Sequence, residues 1–143
     1  METIVATFND LTTASLYEIL KARVNVFVVE QNCPYPELDD IDYRSIHVYL
    51  EENDIILGYC RVFQRDESLI QIGRVLSTER KKHYGYRVME QGIKVAKEVF
   101  NGNQIYIEAQ CYAIAFYEKF GFQTISEPFL EDGISHVKMI KML

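Results

Sequence analysis

The chain contains no tryptophan, and only three prolines and three cysteines in 143 residues. Cys33, Cys60 and Cys111 are odd in number and form no CxxC pair, so neither a disulfide framework nor a cysteine zinc site is indicated. No apolar run approaches the ~18 residues that span a bilayer. The opening METIVATFNDLTT has no basic n-region, so no secretory signal is read there. Basic residues are outnumbered, 15 Lys and Arg against 21 Asp and Glu, for a net charge of -6. A nucleic-acid-binding domain is usually basic, and this balance is the reverse. The expectation is a reduced, cytoplasmic, soluble protein with no metal, no nucleic-acid partner and no membrane partner.

What is present is globular. Nearly half the residues (48%) are apolar and 25% are charged. A chain of this length buries roughly 68–70% of its unfolded surface, enough for one core, so residues 1–143 read as a single domain. Hydrophobic periodicity predicts a strand over 3–8 and a helix from Leu16 to Val28. Thr12, Thr13 or Ser15 can cap that helix, and Ser15 with Glu18 has capping-box spacing. Residues 24–29, VNVFVV, also fit a strand, so the sequence leaves the helix end open. Strands are predicted over 47–51, 55–63 and 69–76, with a hairpin turn at Glu52-Asn53-Asp54. A long amphipathic helix runs from about Tyr84 to Val99 and is stopped by Asn101-Gly102. A strand over 104–109, a helix over 113–120 closed by Gly121, and strands over 122–125 and 137–142 complete the pattern. Such an order suggests a mixed sheet covered by helices, an α/β or α+β fold.

The chemistry concentrates at Arg80-Lys81-Lys82-His83-Tyr84-Gly85-Tyr86-Arg87, between a strand and the long helix. A helix start has unpaired N–H groups and the positive end of the macrodipole, a natural phosphate site. Cations there oppose the dipole, which is understandable if an anion is bound. A solvated basic turn is the plainer alternative. The loop 33–42, CPYPELDDID, holds two prolines and Glu37, Asp39, Asp40 and Asp42. It reads as a solvated acidic loop, or as one that draws cationic amines toward a cleft.

This basic turn resembles motif A of the GNAT superfamily of N-acetyltransferases, R/Q-x-x-G-x-G/A, with Gly85 matching and His83 standing at the first glycine position. Ile72-Gly73-Arg74-Val75 on the preceding strand is similar too, as is Ala115-Phe116-Tyr117-Glu118-Lys119-Phe120-Gly121-Phe122 to the A-x-x-F-Y-x-x-x-G-F signature. Residues 23–35, RVNVFVVEQNCPY, and 130–136, LEDGISH, resemble segments of the ElaA-like branch. The resemblance implies a mixed, twisted central sheet of about six to seven strands flanked by about four helices. It implies acetyl-CoA as cosubstrate, with pantetheine along Arg74, Val75 and Leu76. The pyrophosphate would rest at Arg80, Lys81, Lys82, His83, Tyr84, Gly85 and Tyr86.

The implied reaction moves an acetyl group to a primary amine of a small molecule or peptide by direct attack. Tyr117 is the candidate donor to the departing sulfur; packing like that of Phe116 and Phe120 is its bland alternative. Glu30 is the first candidate base, since the preceding VFVV could desolvate it; pairing with Arg23 or Arg74 is the alternative. Glu108 is the second. Phe27, Cys33 and Glu108 are expected in the substrate pocket. His47 and His136 read as structural strand histidines, Cys60 as core packing, and Cys111 as a residue beside the cleft. Two rivals stand: a non-catalytic CoA-binding sensor or regulatory module, and a nucleic-acid binder using residues 80–87. A homodimer is left open.

Overall fold

The computed structural model describes all residues from Met1 to Leu143. Eight strands form one mixed sheet: β1 (Glu2–Thr7), β2 (Ile46–Glu52), β3 (Ile55–Gln64), β4 (Ile70–Ser77), β5 (Gln104–Gln110), β6 (Gln123–Thr124), β7 (Phe129–Glu131) and β8 (Ile134–Met142). The path is β1-β2-β3-β4-β5-β8-β6, with β7 also paired to β8. Every pairing is antiparallel except β4 with β5. Three α-helices cover it: α1 (Thr13–Arg23), α2 (Tyr84–Glu98) and α3 (Ile114–Glu118). The sheet thus has one strand more than the upper expectation, the short β7, and there are three α-helices rather than four.

Local rules account for the boundaries. Thr12 caps α1, its hydroxyl accepting from the Ser15 amide at 3.0 Å. That places Ser15 at the third helical position and leaves the Ser15–Glu18 capping box unused. The β2–β3 turn holds Asn53 and Asp54 at φ 52° and 64°, the left-handed pair that a two-residue hairpin needs. At the end of α2, Asn101 takes the left-handed conformation (φ 54°) and the Gly102 amide donates to Ala96 O at 3.0 Å.

Residues Val24–Glu30, ambiguous between helix and strand, continue α1 as a π-helical segment. The β-branched run disfavours a regular helix, while continuity with α1 prevents a strand. A π-turn of this length is rare and is commonly tied to function. It presents Val26, Phe27, Val28 and Glu30 to a cleft.

The core lies on both faces of the sheet. On one face Val88, Met89, Val95 and Ala96 of α2 pack with Cys60, Val62, Ile72 and Met139. On the other, Ile19 of α1 packs with Tyr49, Tyr59 and Leu76. Ile72 and Leu76 have the same strand parity yet point to opposite faces. The cause is a bulge: Gly73 pairs with Arg61 and Leu76 with Tyr59, so Arg74 and Val75 together face Cys60. Arg74 occupies the left-handed region at φ 54°.

The acidic loop is not a solvated tether. Glu37 Oε2 accepts from Arg23 Nε and from Arg74 Nε, both at 2.8 Å. Asp42 Oδ1 accepts from Arg23 at 2.7 Å and from Arg61 at 3.0 Å. Asp39 takes Arg61 in a two-pronged pair at 2.6 and 2.9 Å. Three arginines are thereby neutralised by three loop carboxylates, and these acids are not free to attract a cationic substrate. Buried charges demand this pairing, because unpaired burial is costly. No helix is long and apolar enough to cross a membrane.

Candidate functional site

The parallel contact between β4 and β5 lasts for only two pairs, Ile70–Ile105 and Gln71–Tyr106. Beyond them the strands separate, and residues 72–77 of β4 have no partner on that side. A cavity of about 760 Å³ occupies the split. Gly73 borders it, and a Cβ built there meets nothing within 4 Å. The protein's own packing therefore does not require this glycine; the open strand edge does, if another chain-like ligand lies against it.

The β4 edge leads to the basic turn. None of the backbone N–H groups from Lys81 to Tyr86 has an acceptor in the chain; the first helical bond is Arg87 N–H to His83 O at 3.1 Å. Lys81 and His83 sit in the left-handed region, at φ 63° and 61°, on either side of Lys82, which does not. Alternation of this kind turns successive amides inward as an anion-binding nest. His83, at the motif's first glycine position, adopts the conformation in which glycine is at ease. At Gly85 a Cβ would lie 3.6 Å from Phe116 Cζ and 3.9 Å from Ser77 Cβ, ordinary contacts. Again no internal packing calls for glycine. These two observations fit a diphosphate and the arm that follows it.

The cation cluster is smaller than its sequence suggested. Arg80 lines the cavity, whereas the Arg87 guanidinium points to Met1 Sδ at 3.3 Å, away from the turn. Lys81 and Lys82 are exposed on the turn and are not cavity walls. Tyr84 packs into the core and Tyr86 lies over Phe120 with ring centroids 4.7 Å apart, so only their amides face a ligand.

The other candidates converge. Phe27, Glu30, Cys33, Arg74, Val75, Leu76, Glu108 and Tyr117 all line the one cavity. The Tyr117 ring is wedged against Phe116 and Phe122, at centroid distances of 5.1 and 6.1 Å. Its hydroxyl makes no hydrogen bond within the chain. Burial, with Cys60 and Tyr112 adding to it, pushes its pKa well above that of a free phenol. Tyr117 is thus kept protonated where it borders the cleft.

Glu30 is exposed and unpaired. The apolar run before it does not bury it, and Arg23 and Arg74 are both taken by Glu37. Glu108 accepts from Tyr106 Oη at 3.0 Å. The Cys33 thiol donates to Asp132 O at 3.2 Å, which ties the acidic loop to the β7–β8 turn. Gln31 and Gln110 exchange amide hydrogen bonds, both 3.2 Å, and so clasp the π-helical segment to the end of β5. Cys111 does not line the cavity, although its neighbours Gln110 and Tyr112 do; its thiol lies 3.2 Å from Ser135 Oγ. Cys60 is core, and His47 is structural, between Tyr59 Oη at 2.6 Å and Asp42 O at 3.0 Å. His136, read from the sequence as a strand histidine, lines the cavity together with Glu131. The LEDGISH segment stood out in the sequence, but its place at the cavity did not. No group of three or more His, Cys, Asp or Glu is arranged to hold a metal.

The family described as "Acetyltransferase (GNAT) domain" matches residues 11–143. The chain belongs to the GNAT acetyltransferases. Within that family it lies in the ElaA-like branch. It is 34% identical over 139 residues to protein ElaA of Escherichia coli, covering 93% of this chain and 91% of that one. The crystal structure of E. coli ElaA matches with a TM-score of 0.93, over 99% of both chains. An acyl-CoA N-acyltransferase from Pseudomonas aeruginosa matches with a TM-score of 0.92 at 33% identity, over 99% of both chains. A UPF0039 protein of Schizosaccharomyces pombe is 38% identical over 143 residues, covering 97% of this chain and 95% of its own. The GNAT fold carries the mixed twisted sheet and the strand split described above.

Proposed function

We propose that this GNAT protein transfers an acetyl group from acetyl-CoA to a primary amine of a small molecule or peptide, by direct attack in a ternary complex. The observation that carries the reading is the run of acceptor-less amides from Lys81 to Tyr86 beside an unpaired strand edge. The amides and Arg80 hold the diphosphate; the β4 edge from Gly73 to Leu76 pairs with the pantetheine arm. The arm thereby aims the thioester into the cavity bordered by Tyr117.

Acetyl-CoA brings an already activated acyl group, so this chain needs no covalent intermediate. It must align the partners, which replaces a bimolecular encounter with a local one. It must also accept a proton from an ammonium whose reference pKa is about 10.4 in lysine. Tyr117, kept protonated by burial, donates to the sulfur as the C–S bond breaks. Phe27, Cys33, Glu30 and Glu108 shape the acceptor side.

Release of free CoA thiol, followed with a panel of amines, polyamines, amino acids and peptides, tests the reading. The expected result is amine-dependent release that saturates in acetyl-CoA. Saturable CoA binding with no turnover on any acceptor would instead support a sensor module.

A further inference from the structure

The corner where β5, β7 and β8 meet holds a second group of chemistry-bearing side chains. His136 is 8% exposed, and its ring lies against Phe129 with centroids 6.0 Å apart and planes 28° apart. Its Nδ1 is 2.7 Å from Ile134 O. A carbonyl can only accept, so Nδ1 carries the hydrogen and Nε2 of the neutral ring presents a lone pair. Nε2 has no hydrogen-bond partner. What faces it is Glu131 Oε2 at 3.6 Å, another acceptor when ionised. Two acceptors facing each other, with no protein donor to either, are suited to share a proton or to receive a donor between them. Both side chains line the cavity.

The charges around His136 are Glu131 and Asp132 on the β7–β8 turn, Glu108 on β5, Lys138 two residues along β8, and Arg74, whose charge reaches Glu131. Burial, with the Glu108 charge added, raises the Glu131 carboxyl above its ordinary value against the pull of His136. Among cavity-lining side chains the arginines are Arg74 and Arg80. Arg74 is engaged by Glu37 at 2.8 Å and Asp39 at 3.5 Å. Arg80 stands at the turn before α2. A carboxylate on the acceptor, close to its amine, would meet Glu131, Glu108 and Asp132 at this corner, while Lys138, which has no ion-pair partner, does not line the cavity.

We propose that this corner is the acceptor site, that an alkylammonium binds between Glu131 and His136 with Nε2 taking its proton, and that the acceptor bears no carboxylate on the amine-bearing carbon. The inference rests on the acetyl-transfer reading. An ammonium in the gap donates to both acceptors. One of its protons moves to Nε2, and the freed lone pair forms the C–N bond. The C–S bond breaks with its electron pair on sulfur, which takes a proton from Tyr117. The proton that the nitrogen loses as the amide forms restores the phenol. His136 then releases its proton to solvent, so the sum is ammonium plus thioester to amide, thiol and one proton.

The test compares pentylamine with norleucine, which differs from it by the carboxylate on the amine-bearing carbon. It uses the full chain, His136→Gln and Glu131→Gln, each first checked for thermal unfolding and for acetyl-CoA binding by calorimetry. Wild-type protein is expected to favour pentylamine in kcat/KM by roughly ten-fold or more, since like charges at close range cost at least that. His136→Gln is expected to lower kcat roughly 100-fold or more and to remove the acid limb of the pH–rate profile. Glu131→Gln is expected to raise the KM for pentylamine roughly ten-fold or more. If the His136 variant fails to fold, Glu131→Gln decides, because Glu131 is 42% exposed on an edge strand. Norleucine used as well as pentylamine, neither used, or unchanged kinetics and pH profile in the variants overturns the proposal. Absence of acetyl-CoA binding by the wild-type chain is a separate result that overturns the acetyl-transfer reading itself.

Discussion

Replacement of Gly85 by alanine separates ligand recognition from stability, because the two effects have opposite signs. Gly85 is the second residue of α2 and has no positive φ. The added Cβ would be 3.6 Å from Phe116 and 3.9 Å from Ser77, so the free protein accommodates it without a clash. Alanine in place of glycine within a helix stabilises by roughly 0.5–1 kcal/mol, mostly by restricting the unfolded chain. For a domain of this size the melting temperature should rise by roughly 2–4 °C. In the proposed complex the same methyl group crowds the approach of a phosphate oxygen to the amides. Losing one charge-assisted hydrogen bond costs about 1.5–3 kcal/mol, or roughly 10- to 150-fold in affinity. Thermal unfolding without ligand and calorimetry with acetyl-CoA, on one preparation, read both. A higher melting temperature with an unchanged Kd would show that nothing docks at Gly85. A lower melting temperature would show that the packing argument is wrong.

His83→Gly removes a left-handed non-glycine residue at φ 61°. Relief of about 1 kcal/mol of strain is offset by a similar gain in unfolded-state entropy, so the melting temperature should change little while acetyl-CoA affinity holds or improves. Tyr117→Phe should leave the acetyl-CoA Kd unchanged and lower kcat roughly 100-fold, read by thiol release. Glu37→Gln leaves the fully buried Arg23 short of a charge partner and should cost about 3–5 kcal/mol, a fall of roughly 10 °C or more in thermal unfolding. Acid should destabilise the fold in two stages. Burial, with Arg23 and Arg61 adding to it, lowers the His47 pKa below the ordinary imidazole value of about 6.5, despite Asp42. An unfolded His47 therefore binds a proton first, and stability present above about pH 6.5 declines as pH falls below it. Burial alone would raise Asp39, but hydrogen bonds and charge from Arg61, with Arg74 and Arg23, hold it below 3.8, so its contribution is lost only at still lower pH. Urea midpoints between pH 7.5 and 5 should fall, and His47→Gln should flatten that slope.

Much of the fold was legible because local rules and packing agreed. The stripe Gly85, Val88, Met89, Gly92, Ile93, Ala96 and Val99 predicted α2; Val88, Met89, Gly92 and Ala96 are buried in it together with Val95, while Val99 at its end is exposed. Asn53-Asp54 predicted a hairpin and supplies its two left-handed residues. The π-helical segment was not legible, since a β-branched run after a helix satisfies two periodicities and only tertiary context chooses. Strand β7 was missed because three residues carry no pattern. In the site, the amide nest could be placed from the turn and helix signals alone. The pairing of Glu37, Asp39 and Asp42 with Arg23, Arg61 and Arg74 joins residues as far as 37 apart, and spacing does not encode such contacts. The Glu131–His136 corner likewise depends on how β7 folds back on β8.

A crystal structure of the full chain with CoA bound tests the central claim most directly. Density is expected for the diphosphate against the amides of Lys81 to Tyr86, and for the pantetheine arm along β4 from Gly73 to Leu76, with its sulfur in the cavity that Tyr117 borders. A diphosphate bound elsewhere, with those amides facing only solvent, would contradict it.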